Sequence, residues 1–201
     1  MRKLSHSERT EQSDQRMVES AITIIQEKGI SGLRLTEVGI LAGYSRGLAS
    51  MRFGTLEALL RRVARHLSVQ WLDELAESVA HEKGLAAVYS ALDANARYLA
   101  PPSTARVQFL ILFHSLDPSA KEHLNVARVL AAQRRDIARW ISEAIESGEV
   151  KRGIDPEAEA TSIVGSLNGI IFQSLIDGTL PWTNMWEKLK AEITERLSLP
   201  E

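Results

Sequence analysis

The chain has 201 residues, no cysteine and a formal net charge of -2, from 24 Lys plus Arg against 26 Asp plus Glu. With 44% hydrophobic residues it can build a sizeable core, which excludes disorder throughout, and a chain without cysteine has neither a disulfide framework nor a thiolate nucleophile or zinc ligand. The first sixteen residues are polar and no window approaches the roughly 18 uninterrupted apolar residues of a membrane span. A soluble, cytoplasmic protein with no membrane partner is expected. Charge is uneven: residues 1–66 hold 11 basic and 7 acidic side chains, a net of +4, so the remaining 135 carry -6. A basic amino-terminal third on an acidic body suits a polyanion that meets one end only.

Helical periodicity runs through the whole sequence. From about Glu8 to Lys28, Val18, Ala21, Ile22 and Ile25 fall at i, i+3, i+4 and i+7, and Lys28-Gly29 is a stop signal. Leu35, Val38 and Leu41 then mark a short helix ending near Gly43. Ser45 stands where an N-cap belongs, and Leu48 and Phe53 supply the inward residues of a second short helix that ends at Gly54. Thr55 caps a longer helix running towards Glu82, with Leu59, Val63, Leu67, Trp71 and Leu75 inside. Leu85, Val88, Leu92, Ala96 and Leu99 form the next stripe, closed by Pro101 and Pro102. The run 107–113 is apolar apart from Gln108; periodicity does not separate buried helix from strand there, and its helical neighbours favour helix.

Val126, Leu130, Ile137, Ile141 and Ala144 define a long amphipathic helix closing at Gly148. Pro156 opens another, with Glu157 and Glu159 favourable near its positive end. In that helix Ile163, Val164, Leu167, Ile170, Ile171 and Leu175 cover almost the whole circumference, and the last helix carries Trp182, Met185, Trp186, Leu189, Ile193 and Leu197 on one side. An all-round apolar helix needs a second body, so Ile163, Leu167, Ile170, Ile171, Trp182, Trp186, Leu189 and Ile193 are assigned to a homodimer interface; the alternative is the last layer of a monomeric bundle.

Residues 35–53 carry the functional signal. Two short helices joined by Ala42-Gly43-Tyr44-Ser45 are the grammar of a helix-turn-helix, in which the second helix enters the major groove. Gly39 costs about 1 kcal/mol inside a helix relative to alanine, which makes sense where the two helices cross too closely for a side chain. The second helix is expected to present Arg46, Gly47, Ala49, Ser50 and Arg52 outwards, with Arg46 placed to read a base edge. Arg61, Arg62 and Arg65 read as a solvated face. Thr36 and Thr55 are caps or phosphate contacts.

Gly29, the Leu35–Gly43 helix and turn, Ser45-Arg46-Gly47, Phe53 and Glu57-Ala58-Leu59-Leu60 resemble the DNA-binding region of TetR-family transcriptional regulators over about residues 16–60. The resemblance implies an all-α protein: a three-helix DNA-binding domain at 1–55, and a helical body at 56–201 for ligand binding and dimerisation. It further implies a dimeric repressor of a near-palindromic operator, released by a small molecule. The sequence departs from the family pattern at Arg34, where a small capping residue is usual, at Val38-Gly39 for Ile-Ala, and at Arg52 for histidine. Ser50 replaces a tyrosine and Leu56 a lysine, so two habitual phosphate contacts are missing; Arg34 and Arg52 could replace them as backbone contacts.

Gly43-Tyr44-Ser45-Arg46-Gly47 fits the G-x-S-x-G nucleophile elbow. That elbow needs a preceding strand and a sheet, so the match reads as chance and the protein as no enzyme. His81, His114 and His123 lack metal-ligand spacing, and no cofactor motif appears, so neither a metal nor a cofactor is expected. Polar His114, Asn168 and Gln173 interrupt apolar patterns, and Trp71, Phe109, Phe113, His114, Trp140 and Phe172 either line a small-molecule pocket or pack the core. The competing reading is a ligand-binding or protein-interaction module whose helix-turn-helix is vestigial.

Overall fold

The computed structural model describes residues 5–118, 120, 126–197 and 199, with the side chains of Trp182 and Thr183 outside the description. His123 and the dimer role assigned to the Trp182 side chain therefore lie outside the described residues. The chain forms two compact units, one of residues 1–69 and 106–125, the other of residues 70–105 and 126–201.

The first unit opens with α1 (His6–Lys28). Its start lies two residues before the apolar pattern suggests because Ser5 and Glu8 make a capping box: Ser5 Oγ accepts from the Glu8 amide at 3.2 Å, and the Glu8 carboxylate accepts from the Ser5 amide at 2.6 Å. Gly29, at φ +71°, closes the helix by donating to the Ile25 carbonyl. A single 3-10 turn (Ile30–Gly32) leads into α2 (Leu35–Leu41), followed by α3 (Leu48–Phe53) and the first part of α4 (Leu56–Val79). Met17, Ala21, Ile25, Leu33, Val38, Ala49, Leu59 and Val63 are fully buried and make the core that holds these short helices. A helix of six or seven residues is too short to persist by backbone bonding alone, so this packing is what fixes α2 and α3. Part of α6 (Pro102–His114) also belongs here: the apolar run 107–113 is a helix, with Val107, Phe109 and Ile111 buried.

The second unit contains the end of α4, then α5 (Gly84–Leu99), α7 (Val126–Ser147), α8 (Pro156–Ile176) and α9 (Trp182–Leu197). α7 packs on both α5 and α8, and α9 on α8. Asp155 caps α8, accepting from the amides of Glu157 and Ala158 at 3.0 and 3.3 Å, and Pro156 takes the first turn, where its missing amide proton costs nothing. Val88, Leu92, Ile141, Ile163, Leu167, Ile193 and Leu197 are almost wholly buried, each side chain contributing about 1.5–3 kcal/mol of hydrophobic stabilisation. Asp93 on α5 gathers α9: it accepts from Lys190 Nζ at 2.9 Å and from the Trp186 indole at 3.4 Å. The hydrogen bond to Asp93 holds the Lys190 ammonium above its usual pKa, against the opposing pull of partial burial.

Several expectations need correction. α4 ends at Val79, before Glu82. Ser45 does not start the α3 helix, whose regular backbone begins at Leu48. Ile163, Leu167, Ile171, Trp186, Leu189 and Ile193 are buried in the protomer itself, none more than 5% exposed. The circumference of α8 is apolar because α7 and α9 both cover it, so these residues are not free for a second subunit. Ile170 alone of the described set stays half-exposed.

Candidate functional site

The turn between α2 and α3 is built by backbone bonding around glycine. The Gly43 amide donates to the Ile40 carbonyl and the Tyr44 amide to the Gly39 carbonyl, at 3.0 and 2.8 Å, with Gly43 at φ +81°. This pair of bonds is a Schellman closure, and its left-handed residue is why glycine stands at 43. The chain then turns again, the Leu48 amide donating to the Ser45 carbonyl at 3.1 Å. That carbonyl lies against α2: a Cβ added to Gly39 would sit 2.6 Å from the Ser45 oxygen. The close approach inferred from Gly39 is real, although its partner is the turn rather than the body of α3.

On α3 the outward face follows the spacing 47, 50, 51. Arg46, Gly47 and Ser50 are exposed, as expected, and Met51 is 74% exposed. Ala49 is the correction: it is wholly buried and is not presented outwards, because it lies on the opposite side of the helix from Met51 and fills the core under α3. Leu48 and Phe53 are half-buried beside it. Met51 escaped the sequence reading, although its position four residues after Gly47 places it on the same face.

The cations near this face differ. Arg46 meets no carboxylate among the described residues. Arg52 is spent within the protein: its Nε lies 3.1 Å from Asp14 Oδ1 on α1, with the side chains only 26% and 22% exposed. The approach is an ion pair without hydrogen-bond alignment, since Asp14 Oδ1 has no hydrogen-bond partner. Arg52 thus ties α3 to α1. Arg34 is exposed but donates from Nη1 to the Ser31 and Leu33 carbonyls at 2.7 and 2.9 Å. Thr36 is exposed, and Thr55 Oγ1 accepts from the Ala58 amide at 3.1 Å, capping α4. Ser45 follows a helix, and no strand occurs among the described residues, so the strand-turn-helix setting of a nucleophile elbow is not what surrounds it.

In the second unit, Trp71 of α4 and Trp140 of α7 line one small cavity with Asn95 of α5 and Leu167 of α8. It offers about 10 Å³ to the centre of a water-sized sphere, room for about one water. Tyr98 packs on Trp71, ring centroids 5.8 Å apart, and burial pushes its hydroxyl pKa up to about 12. The other aromatics assigned to a pocket do not join this cavity. Phe109 and Phe113 pack on one another at 6.1 Å in the first unit, where His114 is half-buried, and Phe172 is 37% exposed on α8. Gln173 instead lines an open groove on α8 and α9 with Gly169, Ile170 and Met185. Among the described residues no three His, Asp or Glu side chains gather as metal ligands, and no helix is long and apolar enough to cross a membrane.

No family model matches the chain. It is 22% identical over 166 residues to the HTH-type transcriptional regulator SrpR of Pseudomonas putida, covering 82% of this chain and 76% of that protein. Among solved structures it is similar to a TetR transcriptional regulator from Chloroflexus aurantiacus, with a TM-score of 0.81 and 19% identity over 96% of this chain and 99% of that one. It is also similar to the transcriptional regulator FadR of Bacillus subtilis in complex with stearoyl-CoA, with a TM-score of 0.78 and 16% identity over 91% and 98% of the two chains. A third is SmeT of Stenotrophomonas maltophilia, solved with triclosan, with a TM-score of 0.75 and 14% identity over 93% and 92%. The fold is that of TetR-type regulators: all helical, with an amino-terminal helix-turn-helix followed by a larger helical body.

Proposed function

We propose that this protein is a sequence-specific DNA-binding transcriptional regulator, a homodimeric repressor that acts in the cytoplasm and leaves its operator when a small apolar molecule enters its helical body. The observation that carries this reading is the exposed face of α3, where Arg46, Gly47, Ser50 and Met51 stand outwards on a helix propped by the Gly39 contact. In a helix-turn-helix such a face meets base edges in the major groove. Arg34, Thr36, Ser45 and Thr55 are assigned to phosphates around it, while Arg52 positions α3 through Asp14. In this reading residues 1–55 contact DNA and 56–201 bind the effector and the second subunit.

Dimerisation is assigned to the outer side of α8 and to α9, where Phe172, Ile176 and Met185 are exposed beside the half-buried Ile170. A two-fold dimer reads a near-palindrome with half-site centres one helical turn, roughly 34–36 Å, or a multiple of it apart. An effector releases such a dimer only if it binds the two dimer geometries with different affinity. FadR, solved with stearoyl-CoA, and SmeT, solved with triclosan, share this fold, which supports a small-molecule effector.

Titrating binding to a random duplex against salt tests the DNA part. Phosphate neutralisation gives a log affinity that falls linearly with log salt. A flat dependence would instead favour a ligand-binding or protein-interaction module with a vestigial helix-turn-helix.

A further inference from the structure

The cavity of the second unit contains a chemical mismatch. Its walls are mostly aromatic and aliphatic, with Gln133 and Asp136 as further polar lining, and Asn95, which lines it and is 7% exposed, carries a side-chain carbonyl oxygen with no hydrogen-bond partner. A buried acceptor left unpaired is costly and is normally satisfied by protein, water or ligand. We propose that this cavity is built for a small, flat, uncharged aromatic molecule carrying one N–H or O–H donor, which Asn95 Oδ1 accepts. The inference deepens the effector part of the function proposed above and rests on that reading only for its regulatory consequence.

Three features of the lining select this class. Trp71 and Trp140, from α4 and α7, are both at most 6% exposed, and aromatic side chains bind other rings edge to face or offset-stacked. Second, among the described residues Asp136 is the only charged one that lines the cavity, and no Lys or Arg does. A carboxylate or phosphate ligand would lose its hydration there and gain no cation in return. Third, a cationic ligand would compete with a cation already in place, since Arg139 lies 3.8 Å from Asp136 and stacks 5.2 Å from the centre of the Trp140 ring. Space points to a small ligand. The unliganded cavity holds about one water, so entry must spread the helices that carry the two tryptophans, and a thin planar molecule demands the least spreading.

Calorimetric titration of the full chain with indole, benzofuran and indole-3-carboxylate tests the proposal without DNA. Indole and benzofuran have nearly the same shape, but only indole has a donor. Indole should bind about tenfold more tightly than benzofuran, the worth of one buried hydrogen bond that would otherwise go unmade. The carboxylate should bind more weakly than either. Asn95→Leu should bring indole and benzofuran to equal affinity, and a crystal structure with indole should place its N–H on Asn95 Oδ1. Equal binding of the two by the natural chain, tighter binding of the carboxylate, failure of both neutral rings to bind, or a water that keeps Asn95 Oδ1 while indole sits elsewhere would each overturn the inference. Binding with the predicted preference but no change in DNA affinity would leave the inference standing and remove the regulatory reading instead.

Discussion

Replacing Gly39 by alanine sets two effects against each other. Alanine in place of a helical glycine gains about 1 kcal/mol of helix propensity. Against this, the new Cβ would lie 2.6 Å from the Ser45 carbonyl oxygen, which must recede by about 0.8 Å to reach ordinary contact near 3.4 Å. The obstacle is backbone, held by the bond from the Leu48 amide, so no side-chain rotation relieves it. Overpacking in a well-packed interior costs about 1–3 kcal/mol, and a backbone obstacle belongs at the upper end. The net is a loss of about 2 kcal/mol, or roughly 4–8 °C in Tm for a chain of this size. Thermal unfolding followed by circular dichroism measures it. Because the displaced turn leads directly into α3, DNA affinity should fall as well. A Gly39→Ala protein as stable as the natural one, or more so, would refute the close-approach argument.

Other expectations are as specific. Arg46→Ala should cost about 1–3 kcal/mol in operator binding and less on random duplex, measured by fluorescence anisotropy; an equal loss on both would mean a phosphate contact and no base reading. Arg52→Ala strands the half-buried Asp14 carboxylate, so Arg52→Ala with Asp14→Ala should be less destabilised than the sum of the single changes, with a coupling of about 1 kcal/mol in denaturant melts. Additive effects would mean that the pair contributes nothing. Burial raises the Tyr98 pKa from 10.0 to about 12, so this group's stabilisation is complete below pH 10 and is lost as pH rises through 12. In an ultraviolet titration Tyr98→Phe should remove the late-ionising phase, whereas a wholly unchanged curve would reject the shift. Ile176→Asp, at a position 72% exposed in the protomer, should convert the proposed dimer to a folded monomer in sedimentation; a persisting dimer places the interface elsewhere.

The elements were legible where periodicity and caps agree. The stripe of α1, the Pro156 start of α8 and the Gly43 turn all follow from local chemistry that needs no tertiary information. The glycine at 39 also announced a close approach correctly, because a helical glycine carries a cost that something must offset. Orientation was harder. Ala49 and Met51 lie two residues apart on a six-residue helix, too short for a period to fix its faces, and their roles were inverted or missed. The apolar circumference of α8 told how much it buries but not against what, and α7 and α9 turned out to be the partners that a second subunit was expected to be. Arg52 looked like any outward cation until the fold brought Asp14 from 38 positions upstream. The cavity could not have been assembled from the pattern at all, since Trp71, Asn95 and Trp140 meet only through tertiary packing of three helices.

In the function proposed above, the outward face of α3 reads a duplex in a two-fold arrangement. Selection of bound duplexes from a random pool by the full chain tests it most directly. A near-palindromic sequence whose half-site centres lie about 10–10.5 base pairs, or a multiple of that, apart should be enriched, and the enrichment should be lost with Arg46→Ala. A pool that stays random after repeated selection, or enriched duplexes without any inverted symmetry, would contradict it.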